Sequence, residues 1–266
     1  MRISTFASGS SGNCTLVSTG STHILIDAGI SMRRIAANLT CTGLKPADIA
    51  GVLVTHEHKD HINGIATMTK YHKIPLYAPP GVAACLARVP GAEQCIKQIT
   101  PGEAFCIDDA EIRAFHTPHD VPESVGYSIL ADQKFGFCTD LGHVTEEVAR
   151  GLEGSDIVMI EANHDLSMLR QGRYPYFLKQ RILSDHGHLS NPDSGKLALW
   201  LAKHGTRAVI LGHLSQENNL PTVALQTVSE VLQHGGCEPG KDLSLSLAPA
   251  AERHTLIAEG DTICLV

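Results

Sequence analysis

A short apolar strand leads directly into a histidine-rich loop at Val52-Leu53-Val54-Thr55-His56-Glu57-His58-Lys59-Asp60-His61. Imidazole nitrogens and carboxylate oxygens are donors that suit zinc, manganese and iron. In an extended loop His56 and His58 point to the same side, while Asp60 and His61 fall in the next turn and can face a second position nearby. A solvated polar loop with coincidental histidines would not explain this spacing, so the stretch predicts a metal site after a buried strand.

The composition is that of a folded chain. Of the 266 residues, 43% are hydrophobic and 18% charged, and 15 histidines stand against 6 Phe, 5 Tyr and 1 Trp. Enough apolar side chains are present to form a core, and we expect a single domain over residues 1–266. Apolar runs such as Leu197–Ala202 are far shorter than the roughly 18 residues of a membrane span, and the N-terminus has no signal-peptide pattern. We therefore expect a cytoplasmic protein with no membrane partner.

Cysteine and charge narrow the function classes further. The 8 cysteines are scattered without a C-x-x-C pair, which favours buried reduced thiols over a disulfide framework or a zinc knuckle. The net charge of −7 argues weakly against binding nucleic acid through the overall field. Any binding to nucleic acid must then depend on local features.

Strand patterns dominate before residue 140, and helical patterns flank isolated apolar strands after it. The predicted strands are Arg2–Phe6, Cys14–Ser18, His23–Asp27, Gly51–Thr55, Pro75–Ala78, Glu103–Ile107, Glu111–His116, Ser124–Leu130, Lys134–Cys138, Asp156–Glu161 and Arg207–Leu211. The predicted helices are Ser31–Leu39, Gly64–His72, Pro175–Ser184, Pro192–His204 and Val223–Gln233. The mixture predicts an α/β (α+β) fold of two mixed β-sheets covered by helices, with the chemistry on loops at one edge.

The pattern H-x-H-x-D-H after a buried strand resembles that of the metallo-β-lactamase fold, a four-layer αβ/βα sandwich with a binuclear metal site. The resemblance implies three further ligands at later strand ends, His119, Asp140 and His213. His116 is a rival to His119, but His116 ends a strand pattern, whereas His119 precedes an aspartate and the next strand. The resemblance implies that one metal is held by His56, His58, His119 and Asp140, and the other by Asp60, His61, His213 and the bridging Asp140.

Such a pair of metals suits hydrolysis. Two cations about 3.5–4 Å apart share a water, lower its pKa from 15.7 toward neutrality and stabilise an oxyanion. Asp60 can also orient the hydroxide. Asp27 resembles the aspartate that supports the metal loop in this fold, although an aspartate that only caps its strand would fit the pattern too.

His188, just ahead of the helix at Pro192–His204, is the candidate general acid. We expect Asn191 to be the N-cap of that helix, and a histidine in a similar context serves the leaving oxygen in the ribonuclease Z-like nucleases that the sequence resembles. The alternative is a histidine that only shapes a polar loop. We also expect the neighbouring Ser190 to contact substrate.

Two other segments favour a phosphate-bearing substrate. The loop Ser8–Cys14 is rich in donors, and we expect its Ser10 and Asn13 to bind a phosphate, although a plain turn explains the same residues. Asn163 follows a buried strand and leads to the segment Arg170–Arg181, which has four basic residues, two Tyr and no acid. We expect Arg173 in this segment to bind the backbone of a nucleic acid, although an ordinary basic helix surface is an equal alternative.

Together these motifs resemble the bacterial WalJ/YycJ family over nearly the whole chain. They are G-S-S-G-N-C (residues 9–14), H-E-H-K-D-H (56–61), E-A-N-H-D (161–165), G-R-Y-P (172–175) and G-H-L-S-N (187–191). The resemblance implies a metal-dependent phosphodiesterase, a 5′ to 3′ DNA exonuclease connected with repair. It implies two divalent ions, zinc or manganese with iron as a further option, and DNA in preference to RNA. No inserted cap domain is evident, so duplex binding would rest on one domain or on a homo-oligomer.

Two other functions compete with this one. A hydrolase of a small ester, thioester or cyclic phosphodiester would use the same metals without needing His188 or the basic segment. A regulatory scaffold would use the metals only to stabilise its fold, but such a protein has no need for a complete ligand set.

Overall fold

The computed structural model describes residues 1–260 and 262–265. The strands are β1 (Arg2–Ala7), β2 (Cys14–Thr19), β3 (Thr22–Ile26), β4 (Gly51–Leu53), β5 (Leu76–Ala78), β6 (Ile96–Gln98), β7 (Ala104–Ile107), β8 (Ala110–His116), β9 (Val125–Leu130), β10 (Lys134–Cys138), β11 (Ile157–Glu161), β12 (Ala208–Gly212), β13 (Ser244–Leu247), β14 (His254–Glu259) and β15 (Thr262–Leu265). The α-helices are α1 (Met32–Cys41), α2 (Lys59–Ile62), α3 (Ile65–His72), α4 (Pro80–Leu86), α5 (Glu146–Leu152), α6 (Leu166–Gln171), α7 (Tyr176–Ile182), α8 (Asn191–Lys203) and α9 (Pro221–His234).

The strands form two mixed sheets. The first has the order β15-β14-β1-β2-β3-β4-β5-β6, and the second has the order β13-β12-β11-β10-β9-β8-β7. From β3 to β6 and from β10 to β13 the neighbours are parallel, and the remaining pairs are antiparallel. In each parallel part the carboxyl ends of adjacent strands lie at the same edge of the sheet, and the polar residues that follow them are brought together there.

Apolar side chains that alternate between the two faces of single strands account for the four layers of the fold. In β3, Ile24 and Ile26 join a core between the two sheets, while Leu25 joins a second core under the helices of the first sheet. In β11, Met159 faces the core between the sheets and Val158 faces a third core on the far side of the second sheet. Because side chains alternate across a strand, one apolar run fills two cores at once. The layers are therefore helix, sheet, sheet and helix.

Helices cover both outer faces. Helices α1, α3 and α4 bury Ile35, Met68 and Val82 against the first sheet. Helices α5, α8 and α9 cover the second sheet with Val148, Leu197 and Val228. The predicted architecture of two mixed sheets flanked by helices is confirmed. Within residues 1–260 and 262–265, every helix is too short or too polar to cross a lipid bilayer.

The structure adds elements that the sequence patterns missed and moves some boundaries. The additional elements are α2, α4, α5, α6, β6 and the C-terminal strands β13, β14 and β15. Strand β4 ends at Leu53, before the predicted end at Thr55, because the backbone N–H of Thr55 donates to Asp27 instead of to a neighbouring strand. All eight cysteines are free thiols.

Candidate metal centre

The site lies where the parallel strands of both sheets end. Asp27 follows β3, Asp140 follows β10 and His213 follows β12. These three residues have φ angles of 59°, 60° and 53°, a left-handed conformation that is uncommon outside glycine. Backbone strain of this kind persists where the surrounding structure fixes it, and it concentrates at functional sites. The chain therefore turns sharply at each of these strand ends, and each turn leaves a polar side chain inside the molecule.

His56, His58 and His119 form the first group of donors. Nε2 of His56 lies 3.1 Å from Nδ1 of His58, and Nε2 of His119 lies 3.4 Å from the same Nδ1. Asp140 adjoins this group, since its Oδ1 is 3.9 Å from Nε2 of His119. His56 and His119 are buried, so the three nitrogens converge on a small volume mostly screened from solvent.

Asp60, His61 and His213 form the second group. Nε2 of His61 lies 3.6 Å from Oδ2 of Asp60 and 3.5 Å from Oδ2 of Asp140. Nε2 of His213 lies 3.9 Å from Oδ2 of Asp60 and 3.4 Å from Oδ1 of Asp140. Asp140 therefore stands between the two groups with one oxygen toward each of these histidines.

These donors fit divalent metal ions. Oδ2 of Asp140 and Nε2 of His213 are buried and have no hydrogen-bond partner, a costly arrangement unless a ligand completes it. Burial holds the pKa of His56 well below its ordinary value, which keeps its imidazole in the neutral form that binds metal. Burial would raise the pKa of Asp60, but the adjacent His213 and His61 lower it to about 2, so this carboxylate is ionised at neutral pH. Nitrogen and carboxylate oxygen suit zinc, manganese or iron.

The ring orientations also fit this role, because the second nitrogen of four histidines is held by another protein group. Such contacts fix the tautomer and aim the remaining nitrogen at a metal. The Nδ1 contacts are with Thr55 Oγ1 at 3.0 Å for His56, Asp27 Oδ2 at 2.7 Å for His61, Gly187 O at 3.3 Å for His119 and Glu161 Oε2 at 3.3 Å for His213. Asp27 also accepts a hydrogen bond from the backbone of Thr55, so it holds both a ring and the loop.

Glu161, at the end of β11, is a functional residue that sequence reasoning missed. The side chain is fully buried, and its Oε1 accepts hydrogen bonds from the backbone N–H groups of Leu141 and Leu189 at 2.8 and 3.0 Å. Its Oε2 lies 3.0 Å from Nδ1 of His188 and 3.3 Å from Nδ1 of His213. Burial would raise the pKa of Glu161, but the two histidines hold it well below its ordinary value. One carboxylate thus positions both a metal-ligand candidate and the candidate acid.

His188 lies beside the metal-ligand candidates and reaches solvent. Its side chain is 21% exposed, and it lines a cavity of about 170 Å³ together with His58, Asp60 and His119. Because Nδ1 is held by Glu161, Nε2 is the nitrogen that can serve a bound molecule.

The predicted substrate-binding residues have different surroundings in the structure. Ser10 and Asn163 line the cavity. Asn13 is buried, and its amide hydrogen bonds join Gly9 to the backbone of Asp60 and reach Nε2 of His61. Arg173 is exposed and does not line the cavity.

The N-cap of α8 differs from the prediction. It is Ser190, whose hydroxyl accepts from the backbone N–H of Asp193, so the cap lies one residue before the predicted Asn191. Ser190 is 3% exposed. Of the two rival histidines, His119 lies in the group with His56 and His58, whereas His116 lies on the surface and pairs with Glu147.

Comparison with known proteins agrees with this geometry. Residues 22–214 match the family model of the beta-lactamase superfamily domain. The chain is 36% identical over 251 residues to the exodeoxyribonuclease WalJ of Streptococcus pneumoniae, covering 92% of this chain and 93% of that protein. The chain belongs to the WalJ/YycJ family.

A second member of the family is similar over the same extent. The exodeoxyribonuclease YycJ of Bacillus anthracis is 33% identical over 246 residues, covering 91% of this chain and 92% of that protein. Among solved structures, the metallo-beta-lactamase fold protein YhfI from Bacillus subtilis superposes with a TM-score of 0.70 and 15% identity, over 96% of this chain and 100% of that one. The predicted family and the metallo-β-lactamase fold are thus confirmed.

Proposed function

We propose that this WalJ/YycJ family member is a metal-dependent phosphodiesterase that digests DNA as an exonuclease in the 5′ to 3′ direction. The observation that carries the proposal is the complete set of donors for two metals with His188 beside it, held by Glu161 at the wall of an open cavity. Two relatives of this chain, WalJ and YycJ, are named exodeoxyribonucleases, and the similarity to each covers more than nine-tenths of this chain. The direction of digestion is carried over from the family resemblance.

The ligands we propose are His56, His58 and His119 for one ion, and Asp60, His61 and His213 for the other, with Asp140 shared. When bound, two divalent cations such as zinc or manganese supply an activated water and stabilise negative charge on the phosphate oxygens. Asp60, ionised and partly exposed, is placed to accept a hydrogen bond from the attacking water and orient it.

His188 serves the leaving oxygen. A phosphodiester expels an alkoxide, which leaves more readily when an acid delivers a proton to it. With Nδ1 of His188 donating to Glu161, the proton for the leaving oxygen is carried on Nε2. The hydrogen bond to the buried carboxylate of Glu161 also fixes the orientation of the His188 ring.

The substrate is a polyanion. Ser10 and Asn163 at the cavity wall can donate hydrogen bonds to phosphate oxygens, and Arg173 belongs to the basic segment Arg170–Arg181 beside the cavity. A local basic segment together with two cations can attract DNA to a chain whose net charge is −7. We propose that the protein performs this reaction in the cytoplasm, where thiols stay reduced.

The test compares substrates under one set of conditions. Chelated protein is reloaded with Mn²⁺ or Zn²⁺ and given single-stranded DNA, RNA and a thioester in parallel. We expect nucleotide release from DNA faster than from RNA and no thioester turnover. Thioester hydrolysis without nucleotide release under any metal would instead identify a small-molecule hydrolase. DNA labelled at either end then tests the direction, because 5′ to 3′ digestion releases a 5′ label first.

A further inference from the structure

Helix α7 carries two aromatic side chains that protrude into solvent next to the cavity. Tyr176 is 77% exposed and Phe177 is 73% exposed. Large aromatic side chains have a strong tendency to bury their area, and adjacent exposed ones often mark a binding surface. The position of α7 and the charges around it indicate what binds there.

The helix is fastened to the candidate metal centre. Leu178, Arg181 and Ile182 line the cavity, as does Tyr174 just before the helix. Arg181 donates a hydrogen bond to Asp120, the residue after the proposed ligand His119. These contacts place the two exposed aromatic rings on a helix that forms part of the cavity wall.

The turn before α7 is tied down as well. Nζ of Lys179 donates to the carbonyl oxygens of Arg170 at 2.8 Å and Gly172 at 2.7 Å. Tyr176 and Phe177 therefore lie on a segment that hydrogen bonds hold in place, and a base that stacks on the two rings would meet a surface with little freedom left to lose.

The cavity is too small for more than part of a substrate. Its volume is about 170 Å³, whereas pockets that enclose a drug-sized ligand measure roughly 300–1,000 Å³. A phosphate at the candidate metal centre can fill it, but the nucleotides on either side must lie at its rim. Tyr176 and Phe177 lie on α7, the helix whose Leu178, Arg181 and Ile182 line the cavity.

The charge of this segment indicates a nucleic acid. From Leu166 to Ser184 the chain contains Arg170, Arg173, Lys179 and Arg181 and no acidic residue. Arg181 is paired with Asp120, so the positive charge of the segment comes from the other three. Phosphates are attracted by such a segment, and the sequence-tolerant way to hold the bases of a single strand is to stack them on aromatic rings. An acidic protein partner would also be attracted, but it has no reason to lie beside the metal centre.

We propose that Tyr176 and Phe177 form a stacking surface that binds the unpaired bases of a DNA end while the adjacent phosphate lies at the metal centre. The inference rests on the proposed function, since it takes DNA as the substrate. A duplex end must then fray before its strand can reach the surface, so the surface selects single-stranded ends.

The test measures binding separately from turnover. Metal-loaded protein is titrated with a fluorescent single-stranded oligonucleotide whose linkages are all phosphorothioates, which resist hydrolysis, and with an abasic strand of the same length. The variants are Tyr176→Ala, Phe177→Ala, the double variant, and the conservative Tyr176→Phe with Phe177→Tyr. Tyr71→Ala is the matched control, because Tyr71 is 66% exposed on α3 and does not line the cavity.

We expect each alanine variant to weaken binding of the normal strand by about 10-fold, and the double variant to weaken it further. The conservative variants and the control should bind this strand as tightly as the unaltered protein does. On the abasic strand, which offers no bases to stack, all variants should bind alike. Hydrolysis of a small activated phosphodiester should be unchanged. Equal binding of the normal strand by the double variant and the unaltered protein would overturn the stacking surface, as would absence of binding by the unaltered protein.

The two proposals can fail separately. If the double variant releases nucleotides from single-stranded DNA as well as the unaltered protein does, the proposed stacking surface is wrong and the proposed nuclease function is supported. If the unaltered protein hydrolyses no phosphodiester, the proposed function is wrong whatever the binding shows. An equal loss on normal and abasic strands would indicate a nonspecific apolar or protein contact and would also overturn stacking.

Discussion

Replacing Glu161 by glutamine separates the carboxylate's charge from its shape. The amide oxygen of Gln can still accept from the backbone N–H groups of Leu141 and Leu189, so the two loops remain joined. The amide NH₂ then faces Nδ1 of His188 and Nδ1 of His213, where a carboxylate oxygen accepted before. To accept from this donor, each imidazole must move its proton to Nε2. In His213 that proton occupies the nitrogen proposed to bind metal.

The expected losses of metal affinity and turnover in Glu161→Gln follow from these contacts. Loss of a group that orients a metal-bound histidine lowers metal affinity by about 10- to 100-fold, or roughly 1.4–2.7 kcal/mol. Turnover should fall as well, even when metal is saturating, because the amide no longer accepts the hydrogen bond that orients His188. Impaired acid catalysis lowers turnover by about 10²-fold or more.

Two assays test Glu161→Gln. Competition with a zinc-binding chromophore measures metal affinity, and the rate of nucleotide release at saturating metal measures turnover. Glu147→Gln is the control, because Glu147 is an exposed carboxylate that pairs with a histidine outside the site. Wild-type metal affinity together with wild-type turnover in Glu161→Gln would refute the reasoning.

Three further predictions address separate parts of the molecule. His188→Ala should lower turnover of DNA by about 10²-fold or more with unchanged metal content by mass spectrometry; an equal rate would make His188 structural. Burial would raise the pKa of Asp193, but Lys196 and Ser190 lower it, so this carboxylate stabilises the fold above about pH 4, and the contribution is lost as pH falls through its lower native pKa. Urea unfolding should show that Asp193→Asn costs at most about 1 kcal/mol at pH 7 and that the cost shrinks as the pH falls through the native pKa of Asp193; a cost that does not change with pH would contradict this. Burial raises the pKa of Cys138 well above its ordinary value, so alkylation at pH 8 should spare it and label exposed Cys106; labelling of both in native protein would contradict the structure.

The fold and the clustering of donors in the loop after β4 were predictable from the sequence because both rest on local patterns. The spacing of His56, His58, Asp60 and His61 after an apolar strand is visible within ten residues. Strands β4, β11 and β12 are nearly continuous apolar runs, and such runs are read with little ambiguity when turn residues bound them. The single domain over residues 1–266 stays a prediction.

What the sequence did not predict depends on contacts between distant segments. Glu161 ends an apolar strand in the same way as Asp140 and His213 follow theirs, and this shared position was the available signal. Nothing local indicates that its carboxylate meets His188, 27 residues later. Ser190 and Asn191 are both good capping residues, so only the backbone conformation shows which one caps α8.

The missed elements have a similar explanation. Strand β13 is a short alternating segment, Ser244–Leu247, whose pairing partner β12 lies more than thirty residues earlier. Strand β14 pairs with β1 at the opposite end of the chain. Short strands gain their stability from neighbours of this kind, so their own sequence carries a weak signal.

Turnover as a function of bound metal tests whether hydrolysis requires two metal ions. Chelated protein is titrated with Mn²⁺ or Zn²⁺ while nucleotide release from single-stranded DNA and the bound metal are measured in the same samples. The account predicts almost no release below one equivalent, and a rise that saturates when two ions are bound per chain. Full activity with one ion, or nucleotide release that persists in excess chelator, would contradict a hydrolase built on two metals.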